Sequence, residues 1–369
     1  MQKTPETILE IDLNALEHNY QVLRSRILPK TRMLGVVKAF AYGSDSVAIA
    51  QKLEGLGVDY LGVAYGSEGV HLRKVGIRVP ILVLHPQPNG MEGLIEACLE
   101  PSLYSPRILQ EFIRIATDQK QQAYPVHLKF NTGLNRLGFW ETDLEWIGRQ
   151  LNATDAIEIR SLFSHLAASD DLGERDFTLG QIQKFGAIVN QWDKHFEVRP
   201  FKHLLNTSGV FNYPQAQWDM VRTGIGLYGY SNDPESDPLL RPVSKLRTKI
   251  SQIHKIEPGE WVGYNKGYQA PDYRITATLP IGHADGIGRQ YGQGKGVVYI
   301  AGMPAPIIGN VCMDMTMVDI TGITCKEGDE VVFFGDRFSA EHLASRADTI
   351  SYELLTGISQ RVPRVITGA

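Results

Sequence analysis

The sequence predicts an α/β chain, an eight-stranded (β/α)8 barrel joined to a mostly antiparallel β domain. Two observations carry this. Strand-like and helix-like segments alternate eight times between about residues 30 and 230, as a parallel sheet closed by helical crossovers requires. After about residue 240 the pattern turns to short β-rich runs broken by turns such as Pro258-Gly259. The expected division is residues 12–240 for the barrel, and residues 1–11 with 241–369 for the β domain.

The elements follow in order. Glu6–Ile11 is strand-like and precedes the first helix, so it is expected to pair with the β domain rather than with the barrel. Leu13, Leu16, Tyr20, Leu23 and Ile27 share one helical face, with Asp12 as the N-cap. The barrel strands are Met33–Val37, Tyr60–Ala64, Ile81–Leu84, Leu99–Leu103, Val126–Phe130, Glu158–Ser164, Phe201–Leu205 and Met220–Thr223. Ser46–Leu56 and Pro106–Gln119 have helical spacing. The later β runs are Lys249–Ile256, Thr276–Ile281, Gly296–Ala301, Thr316–Ile320 and Glu330–Phe334, with a helical piece at Ala340–Ala347. Periodicity alone leaves an open doubly wound sheet as the competing topology for the first part.

The 37 Lys+Arg against 41 Asp+Glu give a net charge of −4, with 43% hydrophobic and 21% charged residues. This weakly acidic balance, with no basic block, argues against a nucleic-acid or anionic-membrane partner and for a small molecule. Apolar runs are strand-sized, far short of the ~20 residues that cross a bilayer. Residues 1–7 show no secretory pattern. Cys98, Cys312 and Cys325 are odd in number and widely spaced, which fits a reducing compartment, the cytoplasm by default.

In a barrel the reactive groups lie at the C-terminal ends of strands. Lys38 follows the first strand directly. It is either a rim lysine paired with an acid or an amine tuned by desolvation to form a Schiff base with an aldehyde. Met220-Val-Arg-Thr-Gly-Ile-Gly-Leu-Tyr-Gly229 ends the eighth strand with an arginine and close glycines, either a plain turn or a phosphate cradle. His283-Ala-Asp285 has no third ligand at a recognisable spacing, so no metal is expected.

Taken together, these segments resemble alanine racemase. Val37-Lys-Ala-Phe-Ala-Tyr-Gly43 is similar to that family's cofactor-lysine motif, and Phe130-Asn-Thr-Gly-Leu-Asn-Arg-Leu-Gly138 to its Asp-Thr-Gly-Met-x-Arg-x-Gly segment. Ser164-His165, His203-Leu-Leu-Asn-Thr-Ser208, Arg222-Thr-Gly-Ile225, Gly263-Tyr264, Ile281-Gly-His-Ala-Asp-Gly286, Val311-Cys-Met-Asp314 and Arg361-Val-Pro-Arg364 continue in the family's order.

The resemblance implies a homodimer that interconverts L- and D-alanine with pyridoxal 5'-phosphate (PLP), supplying D-alanine for peptidoglycan. Lys38 would hold PLP as a Schiff base and act as one proton-transfer base. Tyr264, reaching in from the second subunit, would be the other, because the proton leaves one face of Cα and returns to the opposite one. Arg222 would face the pyridine nitrogen and, being protonated, keep the ring unprotonated, with His165 holding it in place. Tyr42, Thr207 and the amides around Gly224 and Ile225 would bind the phosphate, supported by Asn206 and His203. Arg136, and the Met313 amide from the second subunit, would bind the substrate carboxylate. Lys129 stands where several members carry a carbamylated lysine.

The chain departs from the family pattern at Phe40 (usually Asn), Ser44-Asp45 (His-Gly), Thr207 (Ser), His283 (Tyr), Asn310 (Arg) and Gln360 (Tyr). The changes at His283, Asn310 and Gln360 bear on the pocket's mouth and leave a serine or broader-specificity racemase open. A decarboxylase relative is disfavoured by Arg222, where that group has an acid. A PLP-binding homologue without turnover is disfavoured by the second domain and its tyrosine.

Overall fold

A computed structural model describes residues 6–233 and 235–368. Residues 1–5 of the expected β domain, and the end at 369, lie outside the described residues. The chain forms two compact units, one of residues 17–41 and 46–240, the other of residues 6–16, 42–45 and 241–368.

β1 (Ile8–Asp12) belongs to the second unit. The first unit is a closed barrel of eight parallel strands: β2 (Arg32–Val36), β3 (Tyr60–Val63), β4 (Ile81–Val83), β5 (Glu100–Leu103), β6 (Tyr124–Lys129), β7 (Ile157–Phe163), β8 (Phe201–His203) and β9 (Met220–Thr223). Closure comes from β2 against β9, with Met33 opposite Val221 and Gly35 opposite Thr223. This settles the choice between barrel and open sheet. Most strand residues are buried because one face lines the barrel and the other meets helices, and the buried set includes polar side chains such as His127, Ser161 and His203.

The helix Pro106–Asp118 illustrates the outer layer. Ser105 caps it by accepting from the Ile108 amide, Pro106 sits where a missing N–H costs nothing, and Ile108, Leu109, Phe112, Ile115 and Ala116 form its buried stripe. The first helix, Leu13–Ser25, is capped as expected: Asp12 Oδ1 accepts from the Asn14 and Ala15 amides at 2.8 and 3.3 Å.

The second unit contains β10 (Ser244–Lys249), β11 (Gln252–Ile256), β12 (Trp261–Val262), β13 (Tyr268–Gln269), β14 (Arg274–Leu279), β15 (Val297–Ile300), β16 (Met303–Ile308), β17 (Thr316–Asp319), β18 (Glu330–Phe334) and β19 (Arg364–Thr367). Nine strands form one sheet in the order β11-β14-β17-β16-β15-β18-β10-β1-β19, and β12 pairs with β13. Pairing is antiparallel except between β1 and β19. β1 thus joins the β-rich unit.

Three differences from the sequence reading have physical causes. Lys249–Ile256 is two strands, because the chain changes partner at Ile250 and Ser251, whose amides donate to Asp329 and Thr278. β16 carries Pro304 and Pro306, which mask a strand in sequence. They are tolerated because that stretch pairs only with β15, and pairing to β17 starts at Ile307. A second short helix, Ser351–Gly357, follows Ala340–Ser345.

Candidate active site

In the barrel unit, Lys38 follows β2 and opens a turn in which Ala39, Phe40, Ala41 and Tyr42 all have φ of 53–54°. A left-handed L-residue costs roughly 1–2 kcal/mol, so this turn needs outside restraint. Glu68 provides it: Oε1 accepts from the Ala39 amide at 2.7 Å, while Oε2 accepts from Ala64 and Tyr65 at 2.7 and 3.1 Å. Glu68 escaped the sequence reading, although its place three residues after Tyr65 is the position of a capping-box acid.

Burial and the Arg136 charge lower the Lys38 pKa, and Glu68 partly opposes them. Lys129, at the end of β6 and 7% exposed, is held down to about 8 by burial and by Arg136, Arg222 and Lys38. Four cations therefore act on one another at the C-terminal end of the barrel, a field that favours anionic groups. The loop after β6 explains the motif carrying Arg136. Asn131 and Phe139 close it by a backbone hydrogen bond, Asn135 has φ 54°, and a Cβ at Gly138 would lie 2.5 Å from the Asn131 nitrogen.

Arg222 is buried with only neutral partners. It donates to His203 Nδ1 (2.8 Å), His165 Nδ1 (3.1 Å), and the carbonyls of Ser164 (2.7 Å) and Leu204 (2.9 Å). Burial moves it down to about 9, still protonated at neutral pH, whereas burial and Arg222 push both histidines well below the usual imidazole range. His203, expected beside the phosphate cradle, lies under the arginine instead. Asn206 caps the helix Thr207–Asn212 by accepting from Gly209. Thr207 Oγ1 accepts from the Gly224 and Gly226 amides at 3.1 and 3.2 Å, leaving its hydroxyl hydrogen to donate elsewhere. A Cβ at Gly226 would meet Thr207 Cγ2 at 2.5 Å, so this turn requires glycine.

In the β-rich unit, Tyr42 is buried with its ring 5.9 Å from that of Tyr352, and burial raises its hydroxyl pKa. Arg364 donates to the carbonyls of Gly43 (2.8 Å), Ser44 (3.3 Å) and Ile358 (2.8 Å), which accounts for the end of the Arg361-Val-Pro-Arg364 motif. Arg361 pairs with Asp285 and Asp314 at 2.7 and 2.6 Å, giving both acids a structural partner. Gly282 lies against the backbone of Cys312 and Met313, whose carbonyls accept from His283 and Ala284. The Met313, His283 and Gln360 side chains are exposed. Tyr264 is 74% exposed on a turn with Asn265 and Lys266 at φ 57° and 52°. Asn310 Nδ2 donates to the Tyr264 carbonyl at 3.0 Å.

A closed parallel barrel with a desolvated lysine and a cation cluster at its C-terminal end, in a chain carrying a separate β-rich unit, defines a barrel enzyme whose site suits small molecules bearing carboxylate or phosphate groups. Family models for the alanine racemase N-terminal and C-terminal domains match residues 11–232 and 243–366. Alanine racemase 1 of Clostridium acetobutylicum is 36% identical, covering 96% of this chain and 94% of its own. The crystal structure of alanine racemase from Streptomyces lavendulae superposes with a TM-score of 0.93 at 31% identity, covering 100% of this chain and 98% of that one. That of Bartonella henselae, with covalently bound pyridoxal phosphate, gives 0.90 at 28% identity, covering 98% and 100%. The chain belongs to the alanine racemase family. It is an amino-acid racemase, an isomerase of L- and D-alanine, and supply of D-alanine for peptidoglycan is the family's standard role.

Proposed function

We propose that the chain racemises alanine with PLP and two bases, Lys38 and a Tyr264 lent by a second copy of the chain. The observation that carries this is the depressed Lys38 amine, desolvated and under the charge of Arg136. A primary amine is a nucleophile only when deprotonated, and this setting enlarges that fraction. The donor set fits PLP: an amine for its aldehyde, a guanidinium for its pyridine nitrogen, and a hydroxyl with a glycine-lined turn for its phosphate. The covalent pyridoxal phosphate of the Bartonella henselae structure supports the same reading. When bound, PLP withdraws electrons from Cα of alanine and acidifies its proton.

The remaining work falls to the chain's own residues. Lys38 holds the cofactor and moves a proton at its Nζ on one face of Cα; the Tyr264 hydroxyl serves the other face. Arg222 donates to the pyridine nitrogen and limits how far that ring draws charge, with His165 orienting it, so the proton returns to Cα. Thr207, Tyr42, and the turn at Gly224 and Ile225 bind the phosphate, with Asn206 holding the Thr207 helix. Arg136 and the Met313 amide of the second copy take the substrate carboxylate, and a carbamylated Lys129 orients Arg136. The 74% exposure of Tyr264 supports a role across a dimer interface. No helix among the described residues is long and apolar enough to cross a membrane. Three free cysteines fit the cytoplasm. The exposed His283 and Gln360 favour, as a second reading, a site that also accepts serine.

Solvent-deuterium exchange into each alanine enantiomer tests the two bases. Lys38→Ala should lose the visible absorption that borohydride abolishes in the parent. Tyr264→Phe should keep its PLP while removing the L-alanine Cα proton at least about tenfold more slowly. Equal rates in the parent and Tyr264→Phe remove Tyr264 from the mechanism. Chiral assay of serine beside alanine decides the breadth.

A further inference from the structure

The barrel core contains a row of polar side chains that runs on from Arg222 and His203 to Ser161, His127 and Glu100, three residues that neither the family motifs nor the two-base reading uses. It starts at Arg222, near the C-terminal end of β9, and ends at Glu100, the first residue of β5. Between them lie His203 in β8, Ser161 in β7 and His127 in β6, all fully buried. The separations are 2.8 Å from Arg222 Nη1 to His203 Nδ1, 2.9 Å from His203 Nε2 to Ser161 Oγ, 2.6 Å from Ser161 Oγ to His127 Nδ1, and 2.7 Å from His127 Nε2 to Glu100 Oε2. The Tyr60 hydroxyl also donates to Glu100 Oε2, at 3.2 Å.

One arrangement of protons satisfies every member. Arginine has no lone pair and only donates, so His203 Nδ1 accepts. The His203 ring proton is then on Nε2 and is donated to Ser161 Oγ. The serine hydroxyl turns to His127 Nδ1, which places the His127 proton on Nε2, donated to the Glu100 carboxylate. A doubly protonated His127 would leave the serine hydroxyl facing two donors with nothing to accept its hydrogen, a costly state in a dry core. The low pKa of His203 agrees with its being neutral. Phe163 stacks on His203 at 4.7 Å and 9°, which holds the plane of the ring.

We propose that Glu100 is a positioning residue for the racemase, anchoring a one-way hydrogen-bond chain through Ser161 and two histidines that fixes the guanidinium of Arg222. This rests on the reading that Arg222 meets the pyridine nitrogen. Arg222 has no carboxylate partner of its own. A carboxylate bonded to it directly would drain its hydrogen bond to the ring; one placed at the far rim of the barrel supplies an acceptor without doing so. If the chain is broken, His203 is free to present a proton to Arg222, and the guanidinium shifts. A pyridine ring held there would be protonated more readily and would draw charge more strongly. Transamination would then compete with racemisation: the cofactor would take up the proton, the electron pair and the amino group, and water would supply the keto oxygen of pyruvate.

The test has two readouts. In holoenzyme labelled at the histidine ring nitrogens, long-range proton–nitrogen NMR should report His127 and His203 as neutral rings protonated at Nε2. A doubly protonated or Nδ1-protonated ring at either position overturns the proposal. Pyruvate released per alanine racemised, read beside the visible spectrum of bound PLP, should rise about tenfold in Glu100→Gln and in Ser161→Ala, the scale of one hydrogen bond to a charged group. Arg222→Lys is the reference. If it raises pyruvate while folded, PLP-loaded Glu100→Gln and Ser161→Ala do not, the proposal fails and the placement of Arg222 stands. If Arg222→Lys also leaves pyruvate unchanged, both fail. Should Glu100→Gln not fold, Ser161→Ala decides.

Discussion

Lys129 shows how far a single residue depends on distant ones. Burial and three cations hold its ammonium down to about 8 against an ordinary 10.5. A folded-state pKa below the unfolded one means that the protonated form strains the fold. The penalty is complete below about 8 and fades as pH rises toward 10.5. The thermal midpoint of unmodified enzyme should therefore rise across that window. Carbamylation replaces the cation with an anion, and should abolish the rise and add the mass of carbon dioxide in native mass spectrometry. A flat midpoint with an unmodified mass would defeat this account. Gly43 gives a sharper case. Its φ is 80° and a Cβ would lie 2.0 Å from the Leu355 carbonyl oxygen, so Gly43→Ala should cost at least about 2 kcal/mol in denaturant unfolding. The glycine stood in a sequence motif, but its reason lies more than 300 residues along the chain, where no local pattern reaches.

At the scale of elements, the barrel strands were legible because each is a short apolar run between helices of regular spacing, and the two periods differ. The β-rich unit was less so. Alternation continues straight through Ile250, where the chain changes partner, and the prolines of β16 read as breaks although that stretch needs only one neighbour. The Tyr264 turn is another element that sequence could not place. It carries two left-handed non-glycine residues, and its carbonyl is held by Asn310, which Gln293 in turn contacts at 3.2 Å. Asn310, one of the departures from the family pattern, braces this turn. Asn310→Ala should lower kcat severalfold with PLP content unchanged and cost about 1 kcal/mol of stability. An unaltered kcat in a steady-state assay would mean the turn holds without it. The outer helices follow simpler rules: Phe112→Ala, which empties a fully buried position, should cost about 3–5 kcal/mol in the same unfolding measurement.

For the whole molecule the question is whether one chain suffices. Racemisation needs a base on each face of Cα, and Tyr264 stands exposed while Lys38 is desolvated. In a twofold dimer whose subunits exchange the tyrosine, each site takes Lys38 from one copy and Tyr264 from the other. Lys38→Ala and Tyr264→Phe homodimers are then both crippled. In a mixed dimer the two defects fall together in one site, and the second site is intact. Random pairing of equal amounts makes half the dimers mixed, so activity should recover to about a quarter of the parent. If Tyr264 served its own chain, every site would carry one defect and mixing would restore nothing. Co-expression with two affinity tags, isolation of the doubly tagged species and assay of D-alanine formation distinguish the two cases. Only recovery in that species agrees with a phenol supplied from across the axis.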